Sequence, residues 1–237
     1  MAKKFLVFDL WSSYGHFKKP YTTSSPLTFS IPPRTAISGI IAAICGIDKK
    51  IYIQYFTKDK ADIAIALKKP VKKIRLGINL LNFNDSMTKI IGKNPTRFEL
   101  LQNPGYRIYF NHGDEKLYSS FKKHLKDHTT IYTPTMGLSE NLANFNYIGE
   151  YSGMEDSDAE RTVEVNSVVP LKNIKPRDIV FNYDYEYFSE NLPLELDNDR
   201  KVTDYGEVIF EKNGRKIAGR FRGFYHLIDI KERIIIL

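Results

Sequence analysis

The sequence predicts an α+β fold, and three observations carry that prediction. The first two-thirds of the chain reads in the order strand, helix, strand, strand, helix, strand. After about Asp158 the patterning turns wholly to β. Hydrophobic residues make up 42% of 237, enough to build a core in one large domain or two small ones.

Lys4–Trp11 (KFLVFDLW) is a nearly unbroken run of apolar and β-forming residues, which suits a central strand buried on both faces. Thr35–Ile47 follows as a helix, with Ile37, Ile40, Ile41 and Ile44 at helical spacing. Pro32 and Pro33 fit its entry and Gly46 its stop. Ala61–Lys69 and Val71–Leu80 read as strands. In the second, Ile74, Leu76, Ile78 and Leu80 alternate with Lys73, Arg75, Gly77 and Asn79, so one face is apolar and the other basic or polar. Asn82–Asn103 reads as an irregular insertion, long for a connection.

Tyr106–Phe110 alternates again, with Arg107 and Tyr109 opposite Tyr106, Ile108 and Phe110. Asp114–Leu125 is a helix carrying Leu117, Phe121 and Leu125, and Asn144–Tyr151 a further strand. This is the split βαβ, ferredoxin-like (RRM-like) plan, in which helices cover one face of a four-stranded sheet and leave the other for RNA. In the remainder, Ile179–Phe188 places Phe181, Tyr183, Tyr185 and Tyr187 on one face, expected to be core. Asn213-Gly214 predicts a hairpin between Val208–Lys212 and Arg215–Gly219, and Phe224–Leu237 a final apolar strand or strand pair. The expected domains are 1–157, with the insertion at about 82–103, and a smaller β-rich region at 158–237.

Charge is divided unevenly. Residues 1–130 hold 22 Lys/Arg against 9 Asp/Glu, a balance of +13, and residues 131–237 hold 13 against 19, a balance of −6. The first part therefore expects a polyanionic partner. The lone Cys45 cannot form an internal disulfide and reads as a small buried residue. No secretory signal or membrane-length apolar run is visible, so a cytoplasmic protein is expected. His124 and His128 lack the acidic context of a zinc helix, and no glycine-rich phosphate cradle of the usual kinds is present, so neither metal nor cofactor is expected.

Single-stranded RNA needs cations for phosphates, aromatic planes for bases, and hydroxyl or backbone groups for base edges. Tyr14, His16, Phe17, Lys18 and Lys19 supply that mixture, as do Arg34 and Thr35 at a helix start and Arg97, Arg107 and Tyr109 further on. Metal-independent RNA cleavage needs a base, an acid and a positive charge. Tyr14, His16 and Lys18, or Lys123 and His124, offer those types, and neither spacing is specific.

His16 to Gly46 (HFKKPYTTSSPLTFSIPPRTAISGIIAAICG) resembles the N-terminal signature of the CRISPR-associated Cas-five family. Asn103–Tyr109 (NPGYRIY) and Tyr132–Ser139 (YTPTMGLS), the latter adding Met136 to the candidate RNA-binding residues, continue the resemblance in order. It implies a RAMP-superfamily fold and a subunit of the type I surveillance complex, Cascade, nearest the I-B branch. Such a subunit holds the 5′ handle of the guide RNA and caps the backbone, beside the backbone subunit and the large subunit. A protruding β-hairpin thumb would fall at Asn82–Asn103. One branch of the family cleaves repeat RNA with Tyr, Lys and His, a role for which Lys123 and His124 are the alternative candidates here.

Overall fold

The computed structural model describes residues 2–22, 24–156 and 160–237, so the expected boundary at 157/158 lies outside the described residues. The chain runs β1 (Ala2–Trp11), β2 (Tyr14–Gly15), α1 (Arg34–Cys45), β3 (Ala61–Leu67), β4 (Lys73–Phe83), β5 (Ile90–Gln102), β6 (Gly105–His112), α2 (Glu115–Asp127) and β7 (Asn144–Asp156). It continues with β8 (Val163–Val165), β9 (Val169–Pro170), β10 (Ile174–Val180), β11 (Tyr187–Leu196), β12 (Val202–Glu211), β13 (Ile217–Phe221), β14 (Phe224–Leu227) and β15 (Glu232–Ile234). The largest sheet has the order β15-β14-β7-β1-β6-β3, antiparallel throughout. The chain is mostly β, with two α-helices among the described residues.

The unbroken apolar run of β1 is explained by burial on both faces. Leu6, Phe8 and Leu10 point into one cluster with Ile37, Ile41 and Ile44 of α1 and Leu117, Phe121 and Leu125 of α2. Phe121 meets Phe8 and Phe110 edge-on at 5.4 and 5.3 Å. Phe5 and Val7 enter a second cluster on the opposite face. Asp114 caps α2 by accepting from the Lys116 and Leu117 amides. Gly46 ends α1 in the left-handed conformation, and a Cβ there would lie 2.7 Å from the Ile131 side chain.

The second face of the sheet is not open to RNA. Four strand steps separate β15 from β6, about 19 Å in a flat sheet at ordinary strand spacing. Yet Glu232 of β15 accepts from Arg107 at 2.9 Å and from the Tyr109 hydroxyl at 2.7 Å, both on β6. The sheet must therefore curl over its own face, and Leu227 and Ile234 close that face by packing with Phe5, Val7 and Tyr109. The charges on that face leave solvent as a paired set, Arg107 with Asp9 and Glu232, which offsets the cost of burying them.

Three further expectations are corrected. Asn82–Asn103 is not irregular: β4 and β5 form one long antiparallel hairpin from Lys73 to Gln102. Asn84 builds its tip, its side-chain carbonyl accepting from the Thr88 and Lys89 amides at 3.0 Å; Gly92 and Pro95 break the alternation that would have marked β5. Asn213-Gly214 does not close a hairpin, because β12 pairs with β11 and β9 while β13 pairs with β10 and β8, so the turn links two small sheets. Residues 181–186 are a turn, not a strand, and Phe181 and Tyr183 are exposed rather than core. The small sheets instead enclose Val165, Val169, Ile209, Ile217 and Phe221. The alternate residues Leu192, Leu194, Val208 and Phe210 pack on the helix-side core.

Arg34, only 1% exposed, joins these parts. Its guanidinium donates to the carbonyls of Phe56 (2.8 Å), Leu194 (3.3 Å), Thr57 (3.2 Å) and Ala61 (2.7 Å). Burial lowers its pKa, opposed by the carboxylates of Glu195, Asp62 and Asp59. Arg34→Met should remove the donors while keeping much of the volume, leaving carbonyls unsatisfied. The expected loss is about 3 kcal/mol or more of unfolding free energy, read from the urea midpoint.

Candidate nucleic-acid interface

The first turn of α1 borders two hollows of about 660 and 600 Å³ that share Thr35, Ala36, Tyr52 and Gly137. One hollow is walled by the hairpin. Strand alternation and pairing place Leu76 opposite Phe98, Ile78 opposite Thr96 and Leu80 opposite Asn94, and this face supplies Leu80, Asn94, Thr96 and Phe98 to the wall. The other hollow runs along the small residues Ala36, Gly39 and Ala43 of α1 toward Tyr132, Lys49 and Arg200. Together they form one groove with apolar walls, hydroxyls from Thr35 and Thr96, and cations at Lys18, Lys49 and Arg200. The start of α1 has no side-chain cap and no acidic residue in its first turn, so its free amides favour an anion.

Two loops meet at the groove floor. The His16 amide donates to the Met136 carbonyl at 2.9 Å. Gly137, at φ 93°, lies so close that a Cβ would stand 1.9 Å from the His16 carbonyl oxygen. The His16 imidazole is 2% exposed, and its Nδ1–H donates to the Glu99 carbonyl at 2.8 Å. Burial lowers its pKa, and the neighbouring Lys18 charge adds to that.

The candidate residues separate in space. His16, Phe17, Lys18 and Thr35 line the groove, with Met136 fully buried behind it. Phe17 belongs mainly to the core. Tyr14 sits on β2, partly exposed, and lines neither hollow. Lys19 is held by Glu190 at 3.2 Å and lies over the Phe29 ring; burial pulls its pKa down, and Glu190 more than offsets this.

Arg34 is consumed by the carbonyls described above. Arg97 alternates away from Thr96 and Phe98, opposite Gly77, onto the outer face of the hairpin. Arg107 pairs with Asp9 and Glu232 on the closed face of the sheet, where Tyr109 is also buried. A single cradle of Lys18, Arg34 and Arg107 is therefore not assembled, because β6 turns Arg107 away from α1. Lys123 is exposed on α2, His124 shares a hydrogen bond with Thr129 at 3.0 Å, and neither lines the groove.

A family model described as CRISPR-associated protein (Cas_Cas5) matches residues 5–211. The chain belongs to this CRISPR-associated Cas5 family. Two solved structures share its fold at low identity. One is a CRISPR protein from Archaeoglobus fulgidus, 14% identical, covering 100% of this chain and 99% of that one with a TM-score of 0.56. The other belongs to a CRISPR RNA-guided surveillance complex, 12% identical, covering 89% of this chain and 91% of that one with a TM-score of 0.54. No curated protein sequence matches significantly.

Within this Cas5-family chain, Lys49, Tyr52, Phe98, Tyr132 and Arg200 enter the groove without having been legible as site residues. Arg200 arrives from the turn between β11 and β12, in the left-handed conformation, and stacks over Tyr52 at 5.8 Å. No local pattern in its acidic surroundings marks it. Cys45 is no nucleophile, since burial pushes its thiol up to about 12. Among the described residues no helix is long and apolar enough to cross a membrane, and no three or more His, Cys, Asp or Glu side chains converge as a metal site.

Two outcomes follow from the groove floor. Gly137→Ala should lower stability by about 2 kcal/mol or more, from the backbone clash and the positive φ together, read by denaturant unfolding. His16 has its folded pKa below the ordinary 6.5. The unfolded chain thus takes up the proton first, and the stabilisation, complete above pH 6.5, is lost as pH falls toward the folded value. Unfolding curves of wild type and His16→Asn at several pH values should differ in slope only in that window.

Proposed function

We propose that this chain is the RNA-binding subunit of a type I CRISPR surveillance complex. In this reading it acts in the cytoplasm, holds the 5′ handle of the guide RNA in the groove between α1 and the β4–β5 hairpin, and caps one end of the backbone. The observation that carries the proposal is the groove itself: apolar and aromatic walls for bases, hydroxyls for edges, and an uncapped helix start with Lys18, Lys49 and Arg200 for phosphates. The +13 balance of residues 1–130 favours the same polyanion.

The finer architecture belongs to the same proposal. β1-α1-β3-β6-α2-β7, with strand order β7-β1-β6-β3, is read as the ferredoxin-like domain. The β4–β5 hairpin is read as its thumb. Phe83, Met87, Ile90 and Ile91 leave apolar surface around the hairpin tip, Met87 being 75% exposed. That surface suits burial against the neighbouring backbone subunit, and the large subunit completes the assembly.

The test is binding of fluorescent handle RNA by the full chain across a salt series, against a scrambled strand. Wild type should prefer the handle. Lys18→Ala with Lys49→Ala should weaken binding and flatten the log Kd against log salt slope by about 1.4, roughly 0.7 for each lost phosphate contact. Equal affinity for both strands, or an unchanged slope in the folded double variant, would remove the groove as the RNA site.

A further inference from the structure

Among the described residues, His16 is the one buried groove side chain whose hydrogen bonding is half complete. Its Nδ1–H is committed to the Glu99 carbonyl, which fixes the neutral tautomer and leaves Nε2 as an acceptor. Among the described residues Nε2 has no partner, although it is buried. A buried acceptor left unpaired is costly, and native proteins rarely tolerate one without a purpose. The ring lines the hollow beside Lys18, Thr96 and Phe98. Phe98 packs edge-on against it at 5.5 Å and is itself only partly buried.

We infer that His16 Nε2 accepts a hydrogen bond from a donor on the nucleotide bound in the groove, and so acts as a specificity residue for that nucleotide. This rests on the proposed RNA-binding role of the groove. The donor is an O–H or N–H group: a ribose 2′-hydroxyl or an exocyclic base amine. An ionised phosphate has no hydrogen to give, and a neutral imidazole with its Nδ1–H spent on Glu99 has only a lone pair to offer it. Nε2 is buried, so the donor reaches it when a neighbour gives way, and Phe98 is the partly exposed ring that packs edge-on against the imidazole. A site built around one unpaired acceptor rejects ligands that lack the donor more strongly than it rewards those that have it.

The paired variants His16→Asn and His16→Gln separate the two nitrogens. Asparagine places an N–H near the Nδ1 position and removes the distal acceptor. Glutamine places an acceptor near the Nε2 position and gives up the Glu99 contact. Each is tested for binding to handle RNAs with single 2′-deoxy substitutions, and to RNAs with bases lacking one exocyclic amine.

With wild type, one substitution should weaken binding about tenfold, the scale of one hydrogen bond to a buried group. With His16→Asn that substitution should cost nothing, because the unmodified RNA already binds as weakly. With His16→Gln the penalty should return in part. A penalty in the sugar series assigns the donor to a 2′-hydroxyl, and one in the base series to an amine.

Should His16→Asn not fold, the ¹⁵N resonance of Nε2 in the wild-type protein replaces it as the readout. The resonance moves upfield on RNA binding if a donor arrives. An unmoved resonance, or folded His16→Asn with wild-type affinity and wild-type sensitivity to every substitution, overturns the inference and leaves the groove reading standing. Failure of the wild-type chain to bind any handle RNA overturns both.

Discussion

The architecture turns on one buried cation. Arg34 gathers four backbone carbonyls from the segment before β3, the start of β3 and the end of β11. Thr57 also accepts from the Lys60 and Ala61 amides, but leaving buried carbonyls short of donors in the interior would be costly. A planar guanidinium with five donors meets several at once, which an ammonium cannot do with the same geometry. The interaction sets where α1 begins and presses the β11–β12 sheet against the helix. The groove depends on it, because both of its hollows are lined by the helix start that Arg34 anchors.

The same economy governs the other charges. Arg107, Asp9, Glu232 and Tyr109 form one hydrogen-bonded set under the curled edge of the main sheet. The Asp9 bonds, against burial and with help from Glu232, hold the Arg107 pKa above its ordinary value. Tyr109 is driven up by burial and then by Glu232. Glu190 plays a parallel part on the helix side, accepting from Ser30 and Lys19. Cations that would serve RNA on an open sheet are spent on closing the fold. Around the groove, the positive charge left to solvent includes Lys18, Lys49 and Arg200, with more on the outer hairpin face.

In the proposed reading, closure of the sheet moves the RNA interface. On a half-open sheet the exposed aromatics of the central strands would stack bases. Here β14 and β15 cover that surface, and the usable concavity lies on the other side, between α1 and a hairpin that reaches past the core. The hairpin contributes an apolar face to the groove and a basic face, with Arg75, Lys93 and Arg97, away from it. In the proposed reading, nucleic acid and a protein neighbour use opposite sides of one element.

The sequence by itself determined the elements whose signals are local and repeated. The apolar run of β1, the isoleucine spacing of α1 with its Pro entry and Gly46 stop, the alternation of Ile74–Leu80 and the helix carrying Leu117, Phe121 and Leu125 all read correctly. The resemblance carried by His16–Gly46 placed the chain in the family to which it belongs. The segment from Phe181 to Tyr187 misled because aromatic alternation does not distinguish a strand from an exposed turn.

Tertiary structure alone decided the fate of each cation and aromatic. Whether Arg34 meets phosphate or carbonyl, whether Tyr109 meets a base or Glu232, and whether Arg200 reaches the groove at all depend on contacts spanning 22 to 160 residues. Local pattern gives a side chain its face. Only the packing of distant elements supplies what that face touches, because burial and pairing energies are set by neighbours the sequence does not place side by side.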